Sequence, residues 1–190
     1  MCGTLPARSA PCSTTSAWPT CRPSPVPAAA LSAPRACPVG AEARLRELGL
    51  QLPALRRAAG SYVGWVCSGD LLFLSGQGAD GFTGRVGADM SLEEGRAAAR
   101  ACVLNLLAQT RDALGSLDRV VRVVKLLGFV ACTEDFTDAP AVIDGASDLL
   151  GELFGDRARH ARSAIGVQAL PLGFAVEIEM VLEAGGTGGR

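Results

Sequence analysis

The sequence is poor in the residues that usually advertise chemistry. It holds one Lys (Lys125), one His (His160) and one Tyr (Tyr62), and aromatic residues make up only 5% of its 190 positions. A lone His excludes a histidine-rich metal centre, and the seven cysteines do not replace it. Cys2, Cys12, Cys21 and Cys37 lie near the N-terminus without a C-x-x-C pair, while Cys67, Cys102 and Cys132 fall in strand or helix patterns, where Cys serves as a small hydrophobe. We therefore expect no metal, no cofactor and a reducing, cytoplasmic setting. A net charge of −1 offers no basic face for nucleic acid or an anionic membrane, and the apolar runs are no longer than strands. Neither nucleic acid nor membrane is an expected partner.

Acids are missing altogether before Glu42, and eight of the 11 prolines fall between Pro6 and Pro38. Proline at that density excludes helix and central strand, so residues 1–40 read as a disordered Pro/Ser/Ala-rich leader. A transit peptide, a dispensable leader and a misplaced start all remain open, and with them organellar targeting. Residues 41–184 form the expected domain, and 185–190 a flexible Gly-rich tail.

What is present is strongly periodic. Glu42 to Leu48 reads as a short helix. Tyr62–Val66 and Leu71–Ser75 read as strands joined by a Ser68-Gly69-Asp70 turn, with a short third strand around Arg85-Val86. Ser91-Leu92-Glu93-Glu94 is a capping box opening a helix to about Leu114. Arg119 to Ala131 is a long Val/Leu-rich strand, expected to be buried on both faces or nearly so. Asp138 caps a second helix with Pro140 in its first turn, and Gly155 ends it. The glycines Gly76, Gly78 and Gly81 match G-x-G-x-x-G, but no Walker Lys follows, so a phosphate loop is discounted.

The last segment carries the chemistry. Ala161-Arg162-Ser163-Ala164-Ile165-Gly166-Val167 alternates like a strand, and Leu170-Pro171-Leu172-Gly173 connects it to a second. There Val176, Ile178, Met180 and Leu182 point one way, while Glu177, Glu179 and Glu183 point the other. This places Arg162 on a strand running beside the carboxylates. The plain alternative is a solvated cross-strand ion pair.

The plan is α+β, ββ(β)αβαββ, with a single mixed sheet and two one-sided helices on one face. One layer of helices leaves the other apolar face bare, which a second copy of the chain would cover. Two stretches sharpen this. Leu72-Phe73-Leu74-Ser75-Gly76-Gln77 and the Arg162-Ser163 … Leu-Pro-x-Gly … Val-Glu-Ile-Glu run resemble the N- and C-terminal signatures of the Rid (YjgF) family of reactive-intermediate deaminases, a divergent branch, over residues 45 to 183. The resemblance implies a chorismate-mutase-like fold, a homotrimer with sites between subunits, and hydrolysis of enamine/imine acids to a 2-keto acid and ammonia.

It also implies roles. Arg162 matches the arginine that holds the substrate carboxylate, and Glu177 the carboxylate that handles the attacking water. Tyr62 matches the tyrosine that closes the cleft from the neighbouring subunit, and Gly76 the glycine whose backbone lies against the ligand. A ligand-binding helix Asn of close relatives falls near Asp144 or Gly145, and an Asp there would repel a carboxylate. Gly78-Ala79 and Ala164 stand where relatives often have Pro and Cys. Alone, Glu177 reads equally as an exposed strand charge. His160, two residues before Arg162, reads first as a surface residue at a strand start and second as a member of the site on the same strand face. A dicarboxylate substrate ranks low, since Arg162 is the one well-placed cation. A non-catalytic trimer binding a small carboxylate metabolite is the alternative function, and a chorismate-mutase-type isomerase a third.

Overall fold

The computed structural model describes residues 40–58 and 60–185. The expected leader and tail lie outside the described residues, apart from Gly40 and Gly185. Helix α1 (Ala41–Glu47) precedes strands β1 (Trp65–Ser68) and β2 (Leu71–Gly78), helix α2 (Leu92–Leu114), strand β3 (Val120–Ala131), helix α3 (Ala139–Phe154) and strands β4 (Ala161–Val167) and β5 (Val176–Ala184). The five strands form one sheet in the order β1-β2-β5-β3-β4, antiparallel except for the β3–β4 pair.

The register sorts side chains onto two faces. Leu74 and Leu126 both lie opposite Met180, and Leu126 also lies opposite Arg162, so these four share one face. Leu74, Leu126 and Met180 are buried there beneath α2 and α3, with Leu106, Leu107, Leu149 and Phe154. The second face carries Phe73, Val181, Leu127, Phe129 and Ile165, interleaved with Glu177 and Glu179. No element among the described residues covers it: Val66, Phe73 and Ile165 are 52, 43 and 47% exposed. β3 is therefore buried on one face only within the chain, not on both as its composition suggests.

Local rules explain most boundaries. α2 starts on the expected box: Ser91 Oγ accepts from the Glu94 N–H (3.2 Å), and Glu94 accepts from the Ser91 N–H (2.8 Å). Asp138 stands at the N-cap of α3, but its side chain makes no capping bond; its backbone carbonyl takes the Ala141 and Val142 amides instead. α2 and α3 come close because Gly145 faces the Arg96 carbonyl, where any Cβ would collide with the Arg96 backbone. Arg96–Asp148 (2.8 Å) and Arg100–Glu152 (2.8 Å) pair across the same seam.

Four expectations are corrected. Tyr62 lies in the loop ahead of β1, which begins at Trp65, because Gly60 and Gly64 break the run on either side. β2 continues past Ser75 to Gly78. Arg85-Val86 is no strand; Val86 makes isolated bridges to Met90 and Cys132. Most consequentially, β4 does not run beside β5. The Leu-Pro-Leu-Gly connection is a 3-10 turn (Pro171–Gly173) that carries the chain across β3, and β5 is inserted between β2 and β3. β5 buries every second residue along its length and so belongs at the centre, whereas β4 holds small residues and has none buried, as an edge strand can.

Candidate functional site

The five residues expected at the site fall into two clusters on opposite faces of the sheet. Arg162 belongs to the first. Its Nη1 donates to Asp144 Oδ1 (2.7 Å) and to Ser147 Oγ (3.0 Å). Asp144 and Ser147 are three apart on α3 and so present a common face. The short 3-10 turn Gly155–Ala158 then reverses the chain and brings His160 beside them, with Nε2 3.2 Å from Ser147 Oγ and Nδ1 2.5 Å from the Ala158 carbonyl. His160 is thus part of the Arg162 cluster rather than a plain surface residue. Asp144, the residue set at the place of the relatives' Asn, is the immediate partner of Arg162, while Gly145 turns toward α2. Arg96 also stands 4.0 Å from the other Asp144 oxygen.

Tyr62, Gly76 and Glu177 meet in the second cluster, a cleft of about 730 Å³ also lined by Arg56, Gln109 and Phe174. A β-bulge builds it. Leu74 pairs with Met180 but Gln77 with Ile178, so Ser75-Gly76 together stand opposite Glu179. The bulged Ser75 ties down the Tyr62 loop: its amide donates to the Gly64 carbonyl (3.0 Å) and its hydroxyl to the Val63 carbonyl (2.7 Å). Gly76 lies against the Glu177 side chain, where a Cβ would come within 2.9 Å of the carboxyl carbon. The Ser-Gly-Gln motif is thus a bulge that seats one carboxylate.

Glu177 is half-buried and makes no hydrogen bond or ion pair among the described residues. Burial, and then the neighbouring Glu179 charge, raise its pKa above the ordinary glutamate value. Nearby Cys102 is fully buried, its thiol donating to the Val176 carbonyl (3.4 Å), and burial holds it firmly protonated.

Several lining residues were not singled out from the sequence. Asn105 and Gln109, one turn apart on α2, are buried and donate to the Gly78 carbonyl (2.7 Å) and the Arg56 carbonyl (2.9 Å), holding both rims of the cleft. Two amides at i, i+4 in an otherwise apolar stripe were the available signal. Arg56 and Arg57 are the cations lining this cleft, and Arg56 is paired with Asp80 and stacked 5.1 Å from the Phe174 ring centroid. Its Arg-Arg doublet precedes β1 with no periodic pattern to place it. Among the described residues, no group of three His, Cys, Asp or Glu side chains is arranged to hold a metal ion, and no helix is long and apolar enough to cross a membrane.

Comparison with known proteins agrees with this architecture. Residues 42–183 match the family model described as "YjgF/chorismate mutase-like, putative endoribonuclease". Protein TCP17 of Trypanosoma cruzi is 48% identical over 147 residues, spanning 74% of this chain and 92% of that protein. A RutC family protein of Sinorhizobium fredii is 35% identical over 126 residues, 66% of this chain and 88% of its own. The crystal structure described as a putative endoribonuclease from Shewanella oneidensis superposes with a TM-score of 0.74 at 35% identity, covering 76% of this chain and 99% of that one. With the sheet order, the bulged Ser-Gly-Gln and the Arg162 strand all in place, the chain belongs to the YjgF, or Rid, family.

Proposed function

We propose that the protein is a homotrimeric hydrolase of reactive enamine and imine intermediates derived from amino acids, with each site shared by two subunits. The observation that carries this reading is the Glu177 carboxylate, half-buried, unpartnered among the described residues and seated on Gly76 beside Tyr62. A carboxylate whose pKa is raised takes up and returns a proton more readily than an exposed one. Arg162 of the neighbouring subunit supplies the carboxylate anchor, and the bare apolar sheet face supports the assembly that brings the two together.

In this mechanism Arg162 pairs with the substrate carboxylate and fixes the imine carbon. The water oxygen attacks that carbon while a water proton passes to Glu177. The substrate enters as its iminium, so this attack gives a neutral carbinolamine. Glu177 returns its proton to the nitrogen, the C–N bond breaks with its electron pair leaving on ammonia, and the hydroxyl proton passes to Glu177 as the carbonyl forms. Tyr62 closes the cleft. RNA cleavage, the activity in the names of some relatives, would ask for a basic surface, which a chain of net charge −1 does not supply.

The test is imine hydrolysis with an amino-acid oxidase generating the imine in situ. Wild type should hydrolyse it, Arg162→Lys should lose about a hundredfold in kcat/KM because one ammonium cannot replace a two-pronged fork, and Glu177→Gln should lower kcat. A protein that binds pyruvate but hydrolyses no imine is a carboxylate-binding module instead.

A further inference from the structure

The Arg162 cluster contains a directional chain of hydrogen bonds that the hydrolytic steps above do not use. The Ala158 carbonyl can only accept, so the His160 Nδ1 facing it at 2.5 Å carries the proton. In that tautomer Nε2 is an acceptor, and it takes the Ser147 hydroxyl proton across 3.2 Å. The Ser147 oxygen is thereby turned to accept from Arg162 Nη1 at 3.0 Å, and Asp144 takes the other Nη1 hydrogen at 2.7 Å. Both bonds fall on a single nitrogen. Among the described residues Nε and Nη2 have no partner, and the guanidinium lines an open cleft with Asp144, Ser147 and His160. The edge that remains carries two parallel N–H donors, the arrangement that grips a carboxylate side-on.

We propose that His160, acting through Ser147, is a positioning residue that holds Arg162 with its Nε–Nη2 edge toward the substrate carboxylate. This rests on the reading of Arg162 as the substrate anchor. Asp144 alone would restrain Nη1 at one point and leave the guanidinium plane free to turn about that bond. Ser147, at a second point, fixes the plane, and an acceptor for its own proton keeps its lone pairs turned toward Arg162. His160 is that acceptor, and the Ala158 carbonyl holds its tautomer. The sequence feature is a His two residues before the anchoring Arg, with a Ser three residues after Asp144 on the preceding helix.

The experiment compares wild type with Ser147→Ala, His160→Ala and His160→Gln, whose amide oxygen can still accept from Ser147. Pyruvate binding is titrated, KM and kcat are measured on the in situ imine of alanine, and a second imine without a carboxylate, made by an amine oxidase, serves as control. His160→Ala and Ser147→Ala should each weaken pyruvate binding and raise KM by about tenfold with kcat nearly unchanged. The carboxylate-free imine should be hydrolysed as by wild type, and His160→Gln should recover most of the affinity. Unchanged pyruvate affinity in His160→Ala overturns the proposal, as does an equal loss on both imines. If no imine is hydrolysed by wild type while His160→Ala still weakens pyruvate binding, the deaminase reading falls and the positioning role stands. If wild type neither binds pyruvate nor hydrolyses an imine, both fall.

Discussion

Arg162 and Glu177 point to opposite faces of the same sheet, with β3 between their strands. Arg162 is level with Leu126 and Met180 on the helix-covered face, whereas Glu177 is level with Phe129 on the bare face. Two strand spacings and three residues of offset put their Cα atoms roughly 14 Å apart, and the sheet itself blocks any meeting. One chain cannot bring both groups to one imine carbon. In the proposed assembly two chains would, with the bare face of one against the edge strand of the next.

Assembly through the bare face makes the first prediction. Phe73→Glu places a charge between Val66 and Val181 without touching the helix-covered core. Light scattering should report a trimer for wild type and a monomer for the variant, with helical circular dichroism retained and imine hydrolysis at least tenfold lower. A wild-type monomer at micromolar concentration would contradict the assembly.

Glu177 sets the pH response. Its pKa is raised by burial and by Glu179, so the ionised base needed for the proposed water activation appears at higher pH than for an ordinary glutamate. kcat/KM should rise with pH through that ionisation, and Glu179→Gln should move the rise to lower pH. The stability sign follows from proton binding. Between the unfolded and the folded pKa the native state holds more protons, so stability falls as pH rises through this window. Glu177→Gln should therefore melt higher than wild type at neutral pH, and the difference should vanish below the ordinary glutamate pKa. An equal gain at all pH values would show that desolvation of the charge is not its cause.

Gly76→Ala tests the bulge. The new Cβ would press on the Glu177 carboxyl carbon, 2.9 Å away, and push the carboxylate from its seat. kcat should fall by about tenfold or more, with the melting temperature little changed, because the side chain moves into the open cleft. A Gly76→Ala protein with normal kcat would mean that the seat does not matter.

Asp144→Asn removes an anion next to the carboxylate-binding edge while keeping an acceptor for Arg162. The pair is partly exposed, at 45% for Asp144, so the stability cost should be under about 1 kcal/mol. Pyruvate should bind several-fold more tightly, as titration calorimetry would show. Weaker binding would mean that the carboxylate itself, and not merely an acceptor, is needed to hold Arg162.

Much of this was legible in the sequence, and the reasons for the remainder are physical. The capping box at Ser91, the β5 alternation and the two one-sided helices are local patterns, and each appears where its period places it. Pairing order is not local. The strand next to Arg162 depends on which segment can be buried on a central strand, and the short Pro171 connection suggested a hairpin where the chain in fact crosses over. For the same reason Arg162 and Glu177 read as neighbours although they are not. His160 and Ser147 are 13 residues apart and meet only because the Gly155–Ala158 turn folds β4 back along α3. Asn105 and Gln109 interrupt the apolar stripe of α2 and bond the rims of the Glu177 cleft, a role that depends on long-range partners.

The most direct test of the shared site is subunit complementation. Arg162→Ala and Glu177→Gln chains, each inactive alone, are unfolded together at equal concentration and refolded, and imine hydrolysis is measured against wild type treated identically. If each site takes Arg162 from one subunit and Glu177 from the next, random mixing leaves about one quarter of the sites intact, and about one quarter of wild-type activity should return. Mixed trimers that stay as inactive as either parent would contradict the account.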